Sequence, residues 1–293
     1  MTAGCSHLPP GRGMDDRAPR CAPETVVLTA TFAPGKTPFV AIRDETERKW
    51  QYCCALLCWL RDPRVEAVVF CENSGTTHDF SGFTDLARRE GKRLEVLTFD
   101  GNAESAQLGK GYGEGRILEH ALRHSGVLRD SPAFYKCTGR VYVENFPQLS
   151  MLLAGRSEGF FPLDMTHSIA NRSLERLKLR HAWRQLRDRG RKAAEYSRRA
   201  GTLIWNPRLT KGCDTRFFRS GTDFFRARLL AGYRTVDDHL GFYLEHAYYY
   251  RLRGRTSFVS HTAPVFVGKS GTGGGDLHRS FPEPVVAEAR GYL

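Results

Sequence analysis

The sequence lacks any segment that could carry the chain across a membrane or mark it for secretion. Its longest apolar stretches, such as Tyr52 to Leu60, fall well short of the ~20 residues that a membrane-spanning helix needs. The first 23 residues include charged residues, as the start of a secretory signal does, but they lack the apolar core that such a signal needs. We therefore expect a disordered tail over 1–23, with Met14 as a second candidate start, and a cytoplasmic protein.

The chain also lacks paired metal-binding or disulfide motifs, although it contains eight cysteines. Cys53, Cys54 and Cys58 lie in one apolar helical stretch, while Cys71 and Cys137 lie in strand-like runs. No C-x-x-C pair occurs with a matching pair of His or Cys, which argues against structural zinc. We predict reduced thiols packed in the core.

Positive charge is plentiful but concentrated in one segment. The net charge is +12, and residues 171–200 hold eleven Lys and Arg against three acidic residues. We predict a basic helix there, with Leu179, Trp183 and Leu186 on one face, which suits an anionic membrane surface. A solvated helix is the alternative. Nucleic acid is a less favoured partner, because no recognition motif accompanies the charge and aromatics are not interleaved with the arginines.

Strand-like and helical patterns alternate through the first half of the chain. We predict strands at 26–32, 65–73, 93–99 and 132–143, and helices at 43–60, 84–90 and 113–125. This alternation, with 41% hydrophobic residues, predicts an α/β fold with a mainly parallel central sheet.

The whole chain is expected to form a single Rossmann-like domain of two halves. A nucleotide-binding half covers 24–150, and an acceptor-side half covers 151–280 and includes the basic helical insertion. In this second half we predict a helix over 235–252 and a strand over 257–268. A tail follows over 281–293.

Polar turns follow the predicted strands and should meet at one edge of the sheet. The ligand of an open parallel sheet sits beyond the carboxyl ends of its strands. In this chain those ends are Thr29 to Thr31, Cys71 to Gly75, Phe99 to Asn102 and Thr138 to Arg140. We therefore predict one binding site built from four turns.

Residues Ala263 to Ser270 match a relaxed phosphate-loop pattern, small-x-x-x-x-Gly-Lys-Ser. A true phosphate loop joins a first strand to a long helix, whereas glycines and prolines follow the motif here. No later strand remains to supply the acidic residue of such enzymes. We interpret the stretch as a strand end and a glycine-rich loop over 268–275 that could close over the site, with Lys269 and Ser270 near a phosphate.

A second glycine-rich stretch, Leu108 to Arg116, opens the helix after the third strand without matching the dinucleotide-binding pattern. Its glycines, Lys110 and a helix N-terminus suit an anionic group such as a pyrophosphate, and a tight strand–helix corner explains them equally well. Lys136 and Arg140 lie beside the fourth strand, where two like charges need carboxylates such as Glu72 or a phosphate ligand.

Four carboxylates are candidate bases. Glu72 ends the second strand, while Asp237, Asp238 and Glu245 belong to the predicted helix over 235–252. Asp238 and Glu245 are seven residues apart and would share one helical face, with Gly241 between them to admit a ligand. A solvated helix face is the alternative.

The succession FCENSG, FDGN, LGKGYGEG, YKCTGR, VDDHLGFYLEH and GKSGTGGG resembles a group of bacterial glycosyltransferases of capsule, lipopolysaccharide and O-antigen clusters. The resemblance covers most of residues 25–275 and implies a GT-A-type fold with a C-terminal acceptor part. It implies transfer of a sugar from a nucleotide sugar, such as a UDP- or CMP-sugar, to a saccharide or lipid-linked acceptor. A lipid-linked acceptor would suit a protein held peripherally on the inner face of the plasma membrane by residues 171–200.

The resemblance also implies roles for individual residues. Those lining the nucleotide and sugar pocket would be Thr29, Glu72, Asn73 and Asn102. Those holding the diphosphate would be Lys110, Gly111, Gly113, Lys136, Thr138 and Arg140. Asp238 or Glu245 would act as the general base towards the acceptor hydroxyl.

One departure from the GT-A pattern concerns the metal. No D-x-D occurs in the chain, and Thr138-Gly139-Arg140 stands where the metal-binding turn is expected. We therefore predict no metal site and expect protein cations to stabilise the departing phosphate. The alternatives are another nucleotide-dependent Rossmann-like transferase, such as a sulfotransferase or methyltransferase, and a basic membrane- or nucleic-acid-binding module.

Overall fold

The computed structural model describes residues 24–154, 159–160, 163–164, 212–240, 242–252, 262–271 and 273–293. The tail predicted over 1–23 and the basic helix predicted over 171–200 lie outside these residues. Residues 253–261, which include the first part of the predicted strand over 257–268, also lie outside them.

The described strands and helices are as follows. The strands are β1 (Glu24–Ala30), β2 (Val65–Glu72), β3 (Arg93–Thr98), β4 (Ala133–Thr138), β5 (Val141–Val143), β6 (Gly159–Phe160), β7 (Leu163–Asp164), β8 (Gly212–Cys213), β9 (Phe217–Gly221) and β10 (Phe266–Gly268). The helices are α1 (Glu45–Arg61), α2 (Ser81–Arg89), α3 (Ser105–Leu108), α4 (Lys110–His124), α5 (Gly126–Asp130), α6 (Phe146–Leu153), α7 (Leu244–Leu252) and α8 (Glu283–Arg290). Short helical turns lie at Thr222–Phe224, Phe225–Leu229, Leu230–Thr235 and Asp238–Leu240.

A six-stranded sheet in the order β3-β2-β1-β4-β9-β6 forms the centre of the molecule. β1 pairs in parallel with β2 and β4, and β2 pairs in parallel with β3. β9 runs antiparallel to both β4 and β6. The prediction of an α/β fold with a mainly parallel sheet is therefore confirmed, and the topology is compatible with a Rossmann-like fold.

The central strands are apolar at consecutive positions because both of their faces are covered. Val26, Val27 and Leu28 of β1 are fully buried, as are the consecutive Val68 and Val69 of β2. Such continuous apolar runs are typical of strands in parallel sheets. α1 and α4 both contact β2, so these helices supply part of the cover.

Helix α1 fixes side chains at the carboxyl end of β1. The Asp44 carboxylate caps the helix by accepting a hydrogen bond from the Glu47 N–H at 2.6 Å. About two turns further on, the Tyr52 hydroxyl accepts a hydrogen bond from the Thr31 N–H at 3.0 Å. The first half of α1 is thereby tied to the turn that follows β1.

The single strand predicted over 132–143 is wrong. β4 ends at Thr138, and β5 instead pairs antiparallel with β10 in a separate two-stranded sheet. The chain bends at Gly139, whose N–H donates to the Thr29 carbonyl at 2.9 Å. A Cβ at Gly139 would lie 2.7 Å from that same oxygen, so the close approach requires glycine.

The continuous helix predicted over 235–252 is also wrong. The chain forms a short turn at Asp238–Leu240, and α7 begins only at Leu244. On either side of this turn, the Asp237 and Phe242 backbones exchange hydrogen bonds of 2.9 and 3.1 Å. Asp238 and Glu245 therefore do not share one helical face.

The segment predicted as a tail over 281–293 contains helix α8, which packs against α1. Arg61 donates two hydrogen bonds of 2.7 Å to the Glu288 carboxylate. The Tyr292 ring stacks on Phe83 with a centroid distance of 4.2 Å. None of the described helices is both long and apolar enough to cross a bilayer.

Helix α4 packs closely on the turn Leu230–Thr235 because Gly115 has no side chain. A Cβ at this position would lie 2.0 Å from the Cβ of Tyr233. We expect Gly115→Ala to lower the free energy of unfolding by about 1–3 kcal/mol through overpacking. Gly275→Ala is the matched control, since nothing lies within 4 Å of the added atom. Urea denaturation measures both variants, and equal stabilities would contradict this packing.

Candidate functional site

A cleft of about 690 Å³ lies beyond the carboxyl ends of β1, β2 and β4. All four predicted polar turns contribute lining residues, as their placement at the ends of sheet strands requires. The predicted site residues that line it are Thr29, Asn73, Asn102, Lys110, Gly113, Thr138, Arg140, Glu245, Lys269 and Ser270. The predicted residues outside its lining are Glu72, Gly111, Lys136 and Asp238.

Arg48 is a cleft residue that the sequence analysis missed. It lies in the first turns of α1 and is only 4% exposed. Its Nε donates to the Thr31 carbonyl at 2.7 Å, and its two terminal nitrogens donate to Ile42 O and Tyr52 Oη at 3.1 Å each. These bonds hold a full positive charge at the floor of the cleft.

Arg140 provides a second buried guanidinium. It follows β4, is 3% exposed, and donates to Gln51 Oε1 at 2.9 Å. Its Nε is buried and has no hydrogen-bond partner among the residues that the structure describes. Burial lowers the pKa of Arg140, and the nearby charge of Arg48 lowers it further, while Tyr52 and Glu47 raise it.

The two guanidinium groups lie against the same aromatic ring. Their Cζ atoms are 5.7 Å (Arg48) and 5.9 Å (Arg140) from the Tyr52 ring centroid. Within the part of the chain that the structure describes, neither forms an ion pair with a carboxylate. A buried charge without a counter-ion is costly, so an anion bound here would offset a penalty already present in the fold.

The glycine-rich loop after β10 lies against Arg140. A Cβ on Gly271 would lie 2.9 Å from an Arg140 terminal nitrogen, so the loop backbone approaches the guanidinium closely. The loop forms a hydrogen-bonded turn, with Ser270 N–H donating to Gly275 O at 2.8 Å. Lys269 forms an ion pair of 3.3 Å with Glu47. The loop therefore places a third cation beside the two arginines.

Carboxylates occupy another part of the cleft. Glu245 of α7 lines it and accepts a hydrogen bond of 3.0 Å from the Thr215 hydroxyl. Burial raises the pKa of Glu245, and the charge of Glu114 raises it further. Glu114 of α4, a residue that the sequence analysis did not single out, also lines the cleft and forms an ion pair with Lys136.

The prediction that Lys136 holds a diphosphate does not fit this geometry. Lys136 is fully buried and lies outside the cleft lining. Its ammonium donates to the Glu114 carboxylate, to the Thr215 carbonyl and, at 3.3 Å, to the Thr138 hydroxyl. The positive charge is therefore neutralised by Glu114 beneath the cleft surface.

The predicted role of Gly111 in phosphate binding is likewise replaced by a contact within the protein. The Gly111 N–H, at the start of α4, donates to Asp238 Oδ2 at 3.2 Å. A Cβ at Gly109 would lie 2.3 Å from the same oxygen, and Gly109 has a φ of 106°. These glycines thus form a cradle for a carboxylate of the chain itself. Asp238 is 1% exposed, so it is not positioned as a base.

Glu72 organises a turn and does not face the cleft. Its Oε1 accepts hydrogen bonds from the Phe32 and Ser74 N–H groups at 2.8 and 2.9 Å, and from the Ser74 hydroxyl. Its Oε2 accepts a longer bond of 3.3 Å from Thr76. A fully buried carboxylate with these partners is unsuited to accept a proton from a ligand.

Asn73 and Asn102 line the cleft and also fix the loop after β1. Asn73 Oδ1 accepts from the Thr31 hydroxyl at 2.6 Å, and Asn102 Nδ2 donates to Ala33 O at 2.7 Å. In that loop, Phe39 is 44% exposed, lines the cleft and adopts a φ of 59°. The polar side chains therefore shape the cleft wall as well as offering groups to a ligand.

Comparison of the chain with protein-family models and with curated proteins gave no match. Among the residues that the structure describes, no group of three or more His, Cys, Asp or Glu side chains is arranged to hold a metal ion. The geometry of the cleft is thus the basis for assigning a function.

Asp238 gives the protein a testable pH dependence. Burial raises its pKa from 3.8 to about 7, against the lowering effects of the Gly111 N–H and Lys110. From about pH 4 to about pH 7 the native state therefore keeps a proton that the unfolded chain releases, so stability from this group falls as the pH rises through that window. As the pH rises through this range, the free energy of unfolding of Asp238→Asn should increase relative to that of the wild type by about 1.4 kcal/mol per pH unit.

Urea denaturation at several pH values measures this difference. Asp85→Asn, at an exposed carboxylate of α2 that pairs with Arg88, is the control and should follow the wild-type curve. An Asp238→Asn curve parallel to wild type would contradict the account of this buried carboxylate.

Proposed function

We propose that the protein is a glycosyltransferase that moves a sugar from a nucleotide-sugar donor to a saccharide or lipid-linked acceptor in surface polysaccharide biosynthesis. The observation that carries the proposal is the buried pair Arg48 and Arg140, placed without carboxylate partners among the described residues at the carboxyl ends of parallel strands. The sequence motifs that resemble GT-A-type enzymes of capsule and lipopolysaccharide clusters support it.

The arginine pair is suited to the phosphate of the donor. A guanidinium offers several N–H donors in a planar fork that matches phosphate oxygens. The Nε of Arg140, which has no hydrogen-bond partner among the described residues, is one such donor. Lys269 also lines the cleft, where it is paired with Glu47.

The acceptor would approach from the carboxylate part of the cleft. Of the predicted bases, Glu245 is the one that lines the cleft. The reaction breaks the bond between the sugar's anomeric carbon and a phosphate oxygen, which leaves with the electron pair. The acceptor oxygen forms the new bond and gives its proton to Glu245.

A divalent metal is not part of this proposal. The cleft provides fixed positive charge from Arg48 and Arg140, and such charge can stabilise a departing phosphate without an ion. The proposed attachment to an anionic membrane concerns residues 171–200, which lie outside the described residues. The proposed location is the cytoplasm or the inner face of the plasma membrane.

Thermal-shift measurements against UDP-, GDP-, CMP- and dTDP-sugars, ATP and S-adenosylmethionine would test the proposal. A ligand present at a hundred times its dissociation constant stabilises the native state by about 2.7 kcal/mol. We expect stabilisation by a nucleotide sugar in the presence of EDTA, followed by release of its nucleotide when an acceptor is supplied. Stabilisation by ATP or S-adenosylmethionine alone would contradict the proposal and favour another transferase class.

Replacing Arg140 tests the observation that carries the proposal. We expect Arg140→Ala to weaken binding of the stabilising nucleotide by about ten- to a hundredfold, because charge-assisted hydrogen bonds are lost. Without ligand the variant should be as stable as wild type or more so, since a buried charge without a counter-ion is removed.

Arg129→Ala is the matched control, because Arg129 is 76% exposed and pairs only with Asp130 among the described residues. Isothermal titration calorimetry measures the affinities. Unchanged affinity in Arg140→Ala would remove this residue from the site.

A further inference from the structure

Lys136 links two carboxylates of the cleft from beneath. Its ammonium donates directly to the Glu114 carboxylate and also to the main-chain carbonyl of Thr215. The side chain of the same Thr215 donates to Glu245 Oε1 at 3.0 Å. A single buried cation therefore holds one carboxylate directly and the second through one threonine.

The three elements involved are distant in sequence, so the arrangement depends on the fold. Glu114 belongs to α4, Lys136 to β4 and Glu245 to α7, while Thr215 lies between β8 and β9. Lys136 and Thr215 are 0% and 4% exposed, whereas both glutamates line the cleft. The cation is thus hidden and the carboxylates are presented to the ligand.

The two carboxylates have different surroundings. Glu114 is paired with the buried Lys136 ammonium. Glu245 has a hydroxyl donor from Thr215, and burial raises its pKa, as does the charge of Glu114. Among the described residues, the other titratable groups that interact with Glu245 are Lys110, Cys213, Asp238 and Tyr248. Pairs of carboxylates in unlike surroundings commonly divide acid–base roles.

We propose that Lys136 and Thr215 are positioning residues that fix Glu114 and Glu245 as a pair with separate tasks in the transfer reaction. Glu245 accepts the proton of the acceptor hydroxyl. Glu114, held by Lys136, lies beside the reacting sugar and stabilises the positive charge that develops at the anomeric carbon as the phosphate leaves. This inference rests on the proposed function and adds to it Glu114, Lys136 and Thr215.

Two substitutions should move the titration of Glu245 in opposite directions. Thr215→Val removes the hydroxyl donor to the ionised carboxylate, so the pKa of Glu245 should rise. Glu114→Gln removes a neighbouring negative charge, so the pKa of Glu245 should fall. Thr222→Val is the matched control, because Thr222 is an equally buried threonine that donates to Ser131 O at 2.6 Å, outside the cleft lining.

The titration can be followed without any substrate. Carbon-13 NMR of protein labelled at the glutamate carboxyl carbons gives the resonance of Glu245, which is assigned by its loss in Glu245→Gln. We expect the pKa of Glu245 to move in opposite directions in Thr215→Val and Glu114→Gln, and to stay unchanged in Thr222→Val. If the pKa of Glu245 moved in the same direction in both variants, or in neither, the proposed coupling of Glu245 to Thr215 and Glu114 would be overturned.

Turnover of a nucleotide sugar supplies the second readout. Glu245→Gln should lower kcat by about 10²–10⁴-fold, the usual contribution of a general base. The acid limb of the pH–rate profile should move to higher pH in Thr215→Val and to lower pH in Glu114→Gln. An acid limb that stays in place in both variants would overturn the role of Glu245.

The two readouts separate failure of this inference from failure of the proposed function. NMR shifts as expected, with no turnover of any nucleotide sugar, would contradict glycosyl transfer while upholding the coupled carboxylates. Turnover without the opposite NMR shifts would uphold glycosyl transfer and contradict the assigned pair.

Discussion

Two guanidinium groups buried side by side are the constraint on which the cleft depends. Removing a charge from water costs several kcal/mol even after the protein relaxes. Arg48 offsets part of that cost by donating to Thr31, Ile42 and Tyr52, which also shapes the loop after β1. Arg140 offsets less, since its Nε has no hydrogen-bond partner among the residues that the structure describes. An anion bound at this strand end would lower the penalty, which is why the proposed function places a phosphate there.

The opposite charges of the cleft come from different elements of the fold. The arginines lie on α1 and after β4, whereas Glu114 and Glu245 lie on α4 and α7. Glycines make this arrangement possible, because Gly115 lets α4 pack against Tyr233 and Gly139 lets the β4 end approach β1. A ligand with a phosphate at one end and a hydroxyl at the other matches this separation of charge.

Much of the sheet could be predicted from the sequence, because its strands are local apolar runs that alternate with helical patterns. The four turns could be predicted to meet for the same reason. Arg48 could not be found, since its neighbours Glu45, Glu47 and Lys49 give the start of α1 the pattern of a solvated helix. The partnership of Asp238 with Gly111 spans 127 residues, and no local pattern encodes it.

The position of a bound phosphate is the most direct test of the account. A crystal structure of the protein with UDP or CMP, whichever stabilises it in EDTA, would give that position. We predict a phosphate oxygen within hydrogen-bonding distance of Arg140 Nε and near Arg48. A phosphate at the start of α4 instead, or a nucleotide bound outside the cleft, would contradict it.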